Sequence, residues 1–115
     1  MNENIIYVFI ILVLYVAYKK YTQYKVLKLV PTLLLKGGQI IDVRTTEEFN
    51  TSNKEGSINI PITYLESRMK ELDKTKPIIL CCASGGRSAL AKRTLISNGF
   101  ENVYNAGTWK TLLKF

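Results

Sequence analysis

Cys82 and the six residues after it, Ala83-Ser84-Gly85-Gly86-Arg87-Ser88, carry the side chains of this chain best suited to chemistry. A cysteine attacks as its thiolate, and a thiolate needs its charge stabilised. A small-residue loop leading into a helix does this. Successive backbone N–H groups point inward, and the helix start adds the positive end of a dipole. Gly85 and Gly86 let the chain curl with no Cβ in the way. Arg87 brings a fixed fork of donors suited to an anionic substrate. Ser84 and Ser88 serve either as hydrogen-bond donors to the loop or a bound anion, or as helix caps. A cation in a first helical turn opposes the dipole, so Arg87 is expected to have a use. The expected chemistry is nucleophilic attack by Cys82 through a covalent intermediate. The bland reading of Cys82, a small buried hydrophobe, leaves the loop unexplained.

The elements around this loop must place it at a strand end. Residues 78–82 (IILCC), opened by Pro77, read as the strongest strand, and residues 87–98 as a helix ended by Gly99. In an open parallel sheet, ligands bind beyond the carboxyl ends of the strands, where Cys82 then stands. Residues 39–43 (QIIDV) read as a buried parallel strand. Asp42 and Arg44 sit at its end, as a structural ion pair or as substrate contacts. Thr45 or Thr46 is placed to cap a helix over 47–50, and residues 57–60 form a strand stopped by Pro61. Ile62, Leu65, Met69 and Leu72 recur at helical spacing over 62–72. A strand over 24–27, a short helix over 32–36 begun by Pro31, a strand over 101–104 and a helix over 108–114 complete the pattern. Trp109 reads as core. The sum is an α/β fold, with a small parallel sheet of about five strands flanked by helices.

Composition narrows the chemistry. The chain of 115 residues has no histidine, which excludes Cys–His proteases, Ser–His hydrolases and His-containing metal sites. Its two cysteines, Cys81 and Cys82, are adjacent, so they build no disulfide framework and require no oxidising compartment. Cys81 lies within the strand and reads as packing, with a resolving thiol as the lesser alternative. No metal or cofactor is called for.

The amino-terminal end is different in kind. Residues 5–18 (IIYVFIILVLYVAY) form an apolar run. Fourteen residues are short of the ~20 that cross a bilayer core, but Met1, Asn2 and the stems of Lys19 and Lys20 extend the run. The leader lacks Lys and Arg and no cleavage site follows, which favours an uncleaved anchor over a signal peptide. Tyr15, Tyr18 and Tyr21 fit an interfacial belt, and the lysines on the carboxyl side place the rest in the cytoplasm. The expected division is an anchor over 1–21 and a domain over 22–115. Net charge is +7, and all sixteen Lys and Arg lie at or beyond Lys19. That excess suits lipid headgroups or a small anionic substrate; no nucleic-acid-reading motif stands out.

These residues also carry a resemblance. The stretch CASGGRS resembles the C-x-x-G-x-R-S loop of rhodanese-like domains. Ile41-Asp42-Val43-Arg44 looks like that family's strand ending in Asp-Val-Arg. Glu48-Phe49 with residues 56–61 (GSINIP), and residues 98–107 (NGFENVYNAG) with Trp109, are similar to its later segments. The chain departs from the family at residues 52–56, which lack the usual His, and at Thr108, where a second Gly is common. The resemblance implies a rhodanese-like three-layer fold over 24–113, and the apolar run sets one transmembrane helix before it. It implies a thiosulfate sulfurtransferase in which Cys82 takes the outer sulfur of thiosulfate or a persulfide. The amides of Ala83, Ser84, Gly85, Gly86 and Arg87 would hold that sulfur until cyanide or a thiol collects it.

Two rivals remain. A membrane-tethered sulfur relay or partner-binding module would share the loop but turn over little. A phosphatase or arsenate reductase uses C-x5-R, a spacing that runs from Cys81 to Arg87. That register puts Ser84 and Leu80 where such loops want Gly and His.

Overall fold

Side chains alternate across a strand, and this alternation organises the molecule. Ile78, Leu80 and Cys82 of the central strand enter one apolar cluster, while Ile79 and Cys81 enter another on the opposite face. The computed structural model describes residues 2–115; Met1, which the sequence reading counts toward the span, lies outside them. Among the described residues, four parallel strands form one sheet: β1 (Gln39–Asp42), β2 (Ile58–Asn59), β3 (Ile78–Cys82) and β4 (Val103–Thr108), in the order β2-β1-β3-β4. Every residue of β3 is buried, as its unbroken apolar run requires.

Helices cover both faces. On one side Leu65 of α3 (Leu65–Arg68) and Ala91 and Leu95 of α4 (Gly86–Ser97) pack with Ile41, Ile60, Leu80 and Phe100. On the other, Val30 and Leu33 of α1 (Glu3–Leu35) and Leu112 of a closing 3-10 segment (Trp109–Lys114) pack with Ile40, Ile79, Ala106 and Trp109. The short α2 (Thr46–Thr51) starts on a capping box in which Thr45 and Glu48 satisfy each other's backbone N–H. Of the two candidate caps, Thr45 is the one used.

Three sequence expectations change. The strand over 24–27 does not form, so the sheet has four strands instead of about five. Those residues belong to α1, a continuous helix of 33 residues. Val26, Leu27, Val30, Leu33 and Leu34 repeat at helical spacing and together face the sheet. Pro31 lies inside this helix instead of beginning a new one. An interior proline costs ~3 kcal/mol. Burying each of Val30 and Leu33 contributes ~1.5–3 kcal/mol, and their partly buried neighbours add more, so packing wins. The stretch over 62–72 is helical but broken, with 3-10 turns Ile62–Tyr64 and Met69–Glu71 flanking α3.

The amino-terminal part of α1 covers nothing. Its side chains from Ile5 to Val16 are all exposed, and an 18-residue window of mean hydropathy 1.6 has no buried share. An exposed all-round apolar helix of this length is compatible with a membrane anchor. By length and composition, a signal sequence passes the same test.

Candidate active site

The strand ends at Cys82, the chain turns through Ala83 and Ser84, and Gly85 enters α4 as its N-cap with φ +101°. That left-handed conformation favours glycine. A Cβ at Gly85 would also stand 3.3 Å from the Cα of Gly107. The tight turn aims the Gly85 N–H back at the Cys82 Sγ, 2.9 Å away. The Ser88 Oγ lies 3.4 Å from the same sulfur. Cys82 is 1% exposed. Burial alone would raise its thiol pKa; hydrogen bonds from the Ser88 side chain and from the Ser88, Ser84 and Gly85 amides outweigh it, and the pKa falls below the ordinary value. Ala83, Ser84 and Gly86 form the exposed rim of the loop.

Ser88 has one hydroxyl proton and three acceptors within reach. The Asn105 Oδ1 is nearest at 2.7 Å, then the Gly85 carbonyl at 3.1 Å, then the Cys82 Sγ. Stabilising a thiolate with this hydroxyl therefore means withdrawing it from Asn105. Asn105 keeps a donor when that happens, because the Gly107 N–H reaches its Oδ1 at 2.9 Å, and its own Nδ2 donates to the Gly85 carbonyl. Asn105 is a site residue that sequence reading did not single out. The sequence quotes it only within the segment 98–107 that carries the resemblance.

Arg87 does not stand free before the loop. Its guanidinium meets the Glu48 carboxylate in two parallel contacts, Nη1–Oε1 at 2.6 Å and Nη2–Oε2 at 3.0 Å. Glu48 is pulled down from 4.5 to about 2, chiefly by the Arg87 hydrogen bonds and then by the Thr45 N–H. Glu48, quoted in the sequence only for its resemblance, is thus the partner of the loop arginine.

Asp42 and Arg44 resolve toward the structural alternative. Both are buried, at 0% and 4% exposure. The Arg44 Nε and Nη2 bind the Asp42 carboxylate, with Nη2–Oδ2 at 2.7 Å, and the Arg44 N–H donates to the same group. Remaining donors reach the Glu48 and Ser52 carbonyls, and the guanidinium lies 4.5 Å from the centre of the Trp109 ring. The pair fastens α2 to the sheet, and Trp109 packs in the core. Asn59 adds two bonds, donating to the carbonyls of Asp42 and Arg44.

Cys81 faces the other way, into the cluster beneath α1, and is fully buried. Burial, then the nearby Asp42 charge, push its thiol pKa far up, which disfavours the thiolate that a nucleophile needs. The C-x5-R register therefore has no cysteine in the loop. Among the described residues, no cluster of three or more His, Cys, Asp or Glu could hold a metal ion.

Comparison with known proteins agrees with this arrangement. The rhodanese-like domain family matches residues 27–107. The uncharacterized protein YqhL of Bacillus subtilis is 31% identical over 90% of this chain and 86% of its own. The thiosulfate sulfurtransferase PspE of Escherichia coli is 34% identical over 63% of this chain and 71% of its own. The putative sulfur carrier protein YrkF of Bacillus subtilis is 39% identical over 57% of this chain, which spans only 36% of YrkF. Among solved structures, an Escherichia coli rhodanese with anions superimposes with a TM-score of 0.61 at 33% identity, over 64% of this chain and 89% of its own. The four-stranded parallel sheet, the cysteine at its central strand end and the matched residues together make this chain a member of the rhodanese-like domain family.

Proposed function

We propose that the protein is a sulfurtransferase that moves sulfane sulfur from thiosulfate or a persulfide to a thiol or cyanide acceptor through a persulfide on Cys82. The observation that carries this reading is the Gly85 N–H donating to the Cys82 Sγ at 2.9 Å, at the start of α4. A donor in that position lowers the thiol pKa and offers a hydrogen bond to the attacking sulfur. The Cys82 thiolate attacks the outer sulfur of the donor, the old bond to that sulfur breaks, and sulfite or a thiolate leaves with the electron pair. The acceptor then attacks the terminal sulfur and regenerates the Cys82 thiolate, a two-stage reaction with ping-pong kinetics. Ala83, Ser84, Gly85, Gly86 and Ser88 surround the transferred sulfur, with Arg87 bracing the loop through Glu48. Asp42 and Arg44 support from behind the sheet.

Residues 1–21 act as a single-pass anchor and residues 22–115 as the catalytic domain, on the cytoplasmic side where the lysines after Tyr18 lie. A sulfur-relay role with little turnover is the second reading, supported by the near-complete burial of Cys82. Mass spectrometry after thiosulfate treatment tests the proposal. A gain of about 32 Da, one sulfur atom, is expected on Cys82 and is absent in Cys82→Ala. An unmodified wild type would overturn it, and a persulfide that forms and passes to a protein thiol but turns over little with cyanide or small thiols would favour the relay.

A further inference from the structure

The groove in front of the loop is much larger than thiosulfate needs. It is an open groove of about 760 Å³ between α1 and α4, with Ser84, Gly85 and Gly86 along it. That size falls within the roughly 300–1,000 Å³ of sites that take extended organic ligands. One wall comes from α1, with Tyr15, Tyr18 and Lys19; the other comes from α4, with Lys92 and Arg93. No Asp or Glu lines it. None of its three cations is in an ion pair among the described residues. The wall is fixed in place, because the Gln23 Nε2 donates to the Ala106 carbonyl at 3.0 Å and lies tight against Gly107.

Distance separates these cations from the sulfur. Lys92 follows Gly86 by six residues of helix, a rise of roughly 9 Å. A single small oxyanion seated on the loop amides does not span that interval. Arg87 cannot supply the missing charge, since its fork is held by Glu48.

We propose that this groove is a carrier subsite. It takes the persulfide of an extended thiol bearing carboxylate or phosphate groups, with the anionic end on Lys19, Lys92 and Arg93 and the sulfane sulfur at Cys82. The inference rests on the sulfur-transfer reading above. In the step itself the Cys82 thiolate attacks the outer sulfur of R–S–S–H. A new S–S bond to Cys82 forms and the carrier's S–S bond breaks, with its electron pair leaving on R–S⁻. The proton stays on the transferred sulfur, and no outside oxidant or reductant takes part.

The test compares two donors on the full chain in a non-ionic detergent: glutathione persulfide, which carries carboxylates, and its diethyl ester. The wild type is expected to prefer the acid in kcat/KM, with a KM that rises with ionic strength for the acid alone. In Lys19→Ala/Lys92→Ala the preference is expected to fall about tenfold through KM. Lys70→Ala, on the surface away from the groove, is expected to keep it. A preference equal in wild type and double variant, or a wild-type KM insensitive to salt, overturns the subsite while leaving sulfur transfer standing. If no donor, thiosulfate included, loads Cys82, the underlying sulfur-transfer reading falls instead.

Discussion

The Glu48 carboxylate and the Arg87 guanidinium meet face to face, two oxygens on two nitrogens at 2.6 and 3.0 Å, and join α2 to the first turn of α4. Their sequence separation of 39 residues makes this a long-range tie across the mouth of the cysteine loop. It also explains how a cation is tolerated where the helix dipole disfavours one: the carboxylate travels with it.

Acid should loosen this tie in a defined window. Glu48 has a depressed pKa in the folded state, so its contribution is fully present above the ordinary 4.5 and fades as pH falls toward about 2. Both side chains are about a third exposed, and solvent screening limits the gain to ~1 kcal/mol or less. Urea midpoints from pH 7 downward should show wild type above Glu48→Gln, with the gap closing across that interval. A gap that widens on acidification would contradict the assignment.

Cys82 should alkylate as a thiolate with a midpoint below 9.0, and Ser88→Ala should move the midpoint up, because it removes one of the bonds that outweigh burial. Iodoacetamide rates against pH measure both. The variant should stay folded, since the Asn105 Oδ1 retains the Gly107 N–H.

Replacing Gly85 by alanine should abolish persulfide loading with secondary structure kept. The new Cβ meets Gly107 and must adopt φ +101°, at a cost of ~1–2 kcal/mol. Circular dichroism and mass spectrometry on the same sample separate the two effects.

Breaking the buried pair acts on the fold. Arg44→Ala leaves the Asp42 carboxylate buried without its partner, a loss of ~3–5 kcal/mol. Its denaturation midpoint should fall sharply, whereas Arg68→Ala, which removes an exposed pair with Glu71, should leave the midpoint nearly unchanged.

Truncation distinguishes the two parts of α1. Removing residues 1–21 should leave a folded, soluble domain, because Val26, Leu27, Val30 and Leu33 remain. Removing residues 1–35 leaves that face of the sheet covered only by the closing segment with Trp109 and Leu112 and should yield aggregate. Sedimentation of the two products is the measurement.

The loop was legible in the sequence because its parts are contiguous: strand, Cys82, glycines and helix follow one another, and local geometry does the rest. That Thr45 or Thr46 caps α2 was legible for the same reason, and the structure selects Thr45. The run over 24–36 was misread because Pro31 and Gly37-Gly38 are strong local punctuation, while the competing signal is apolar spacing that matters only once a sheet is there to pack on. Glu48 and Asn105 escaped as site residues for a related reason. Each acts on the loop from 17 or more positions away, Glu48 on Arg87 and Asn105 on Ser88, and no local pattern marks such a partner.

The pleat that sends neighbouring thiols to opposite sides of the sheet has a practical outcome for storage. On the proposed reading, a sulfur atom parked on Cys82 is out of reach of Cys81, whose own side chain packs beneath α1 on the far side. Two touching positions in the chain thus behave as strangers in redox terms. On that reading, the lifetime of such a cargo would be governed by what can enter from outside.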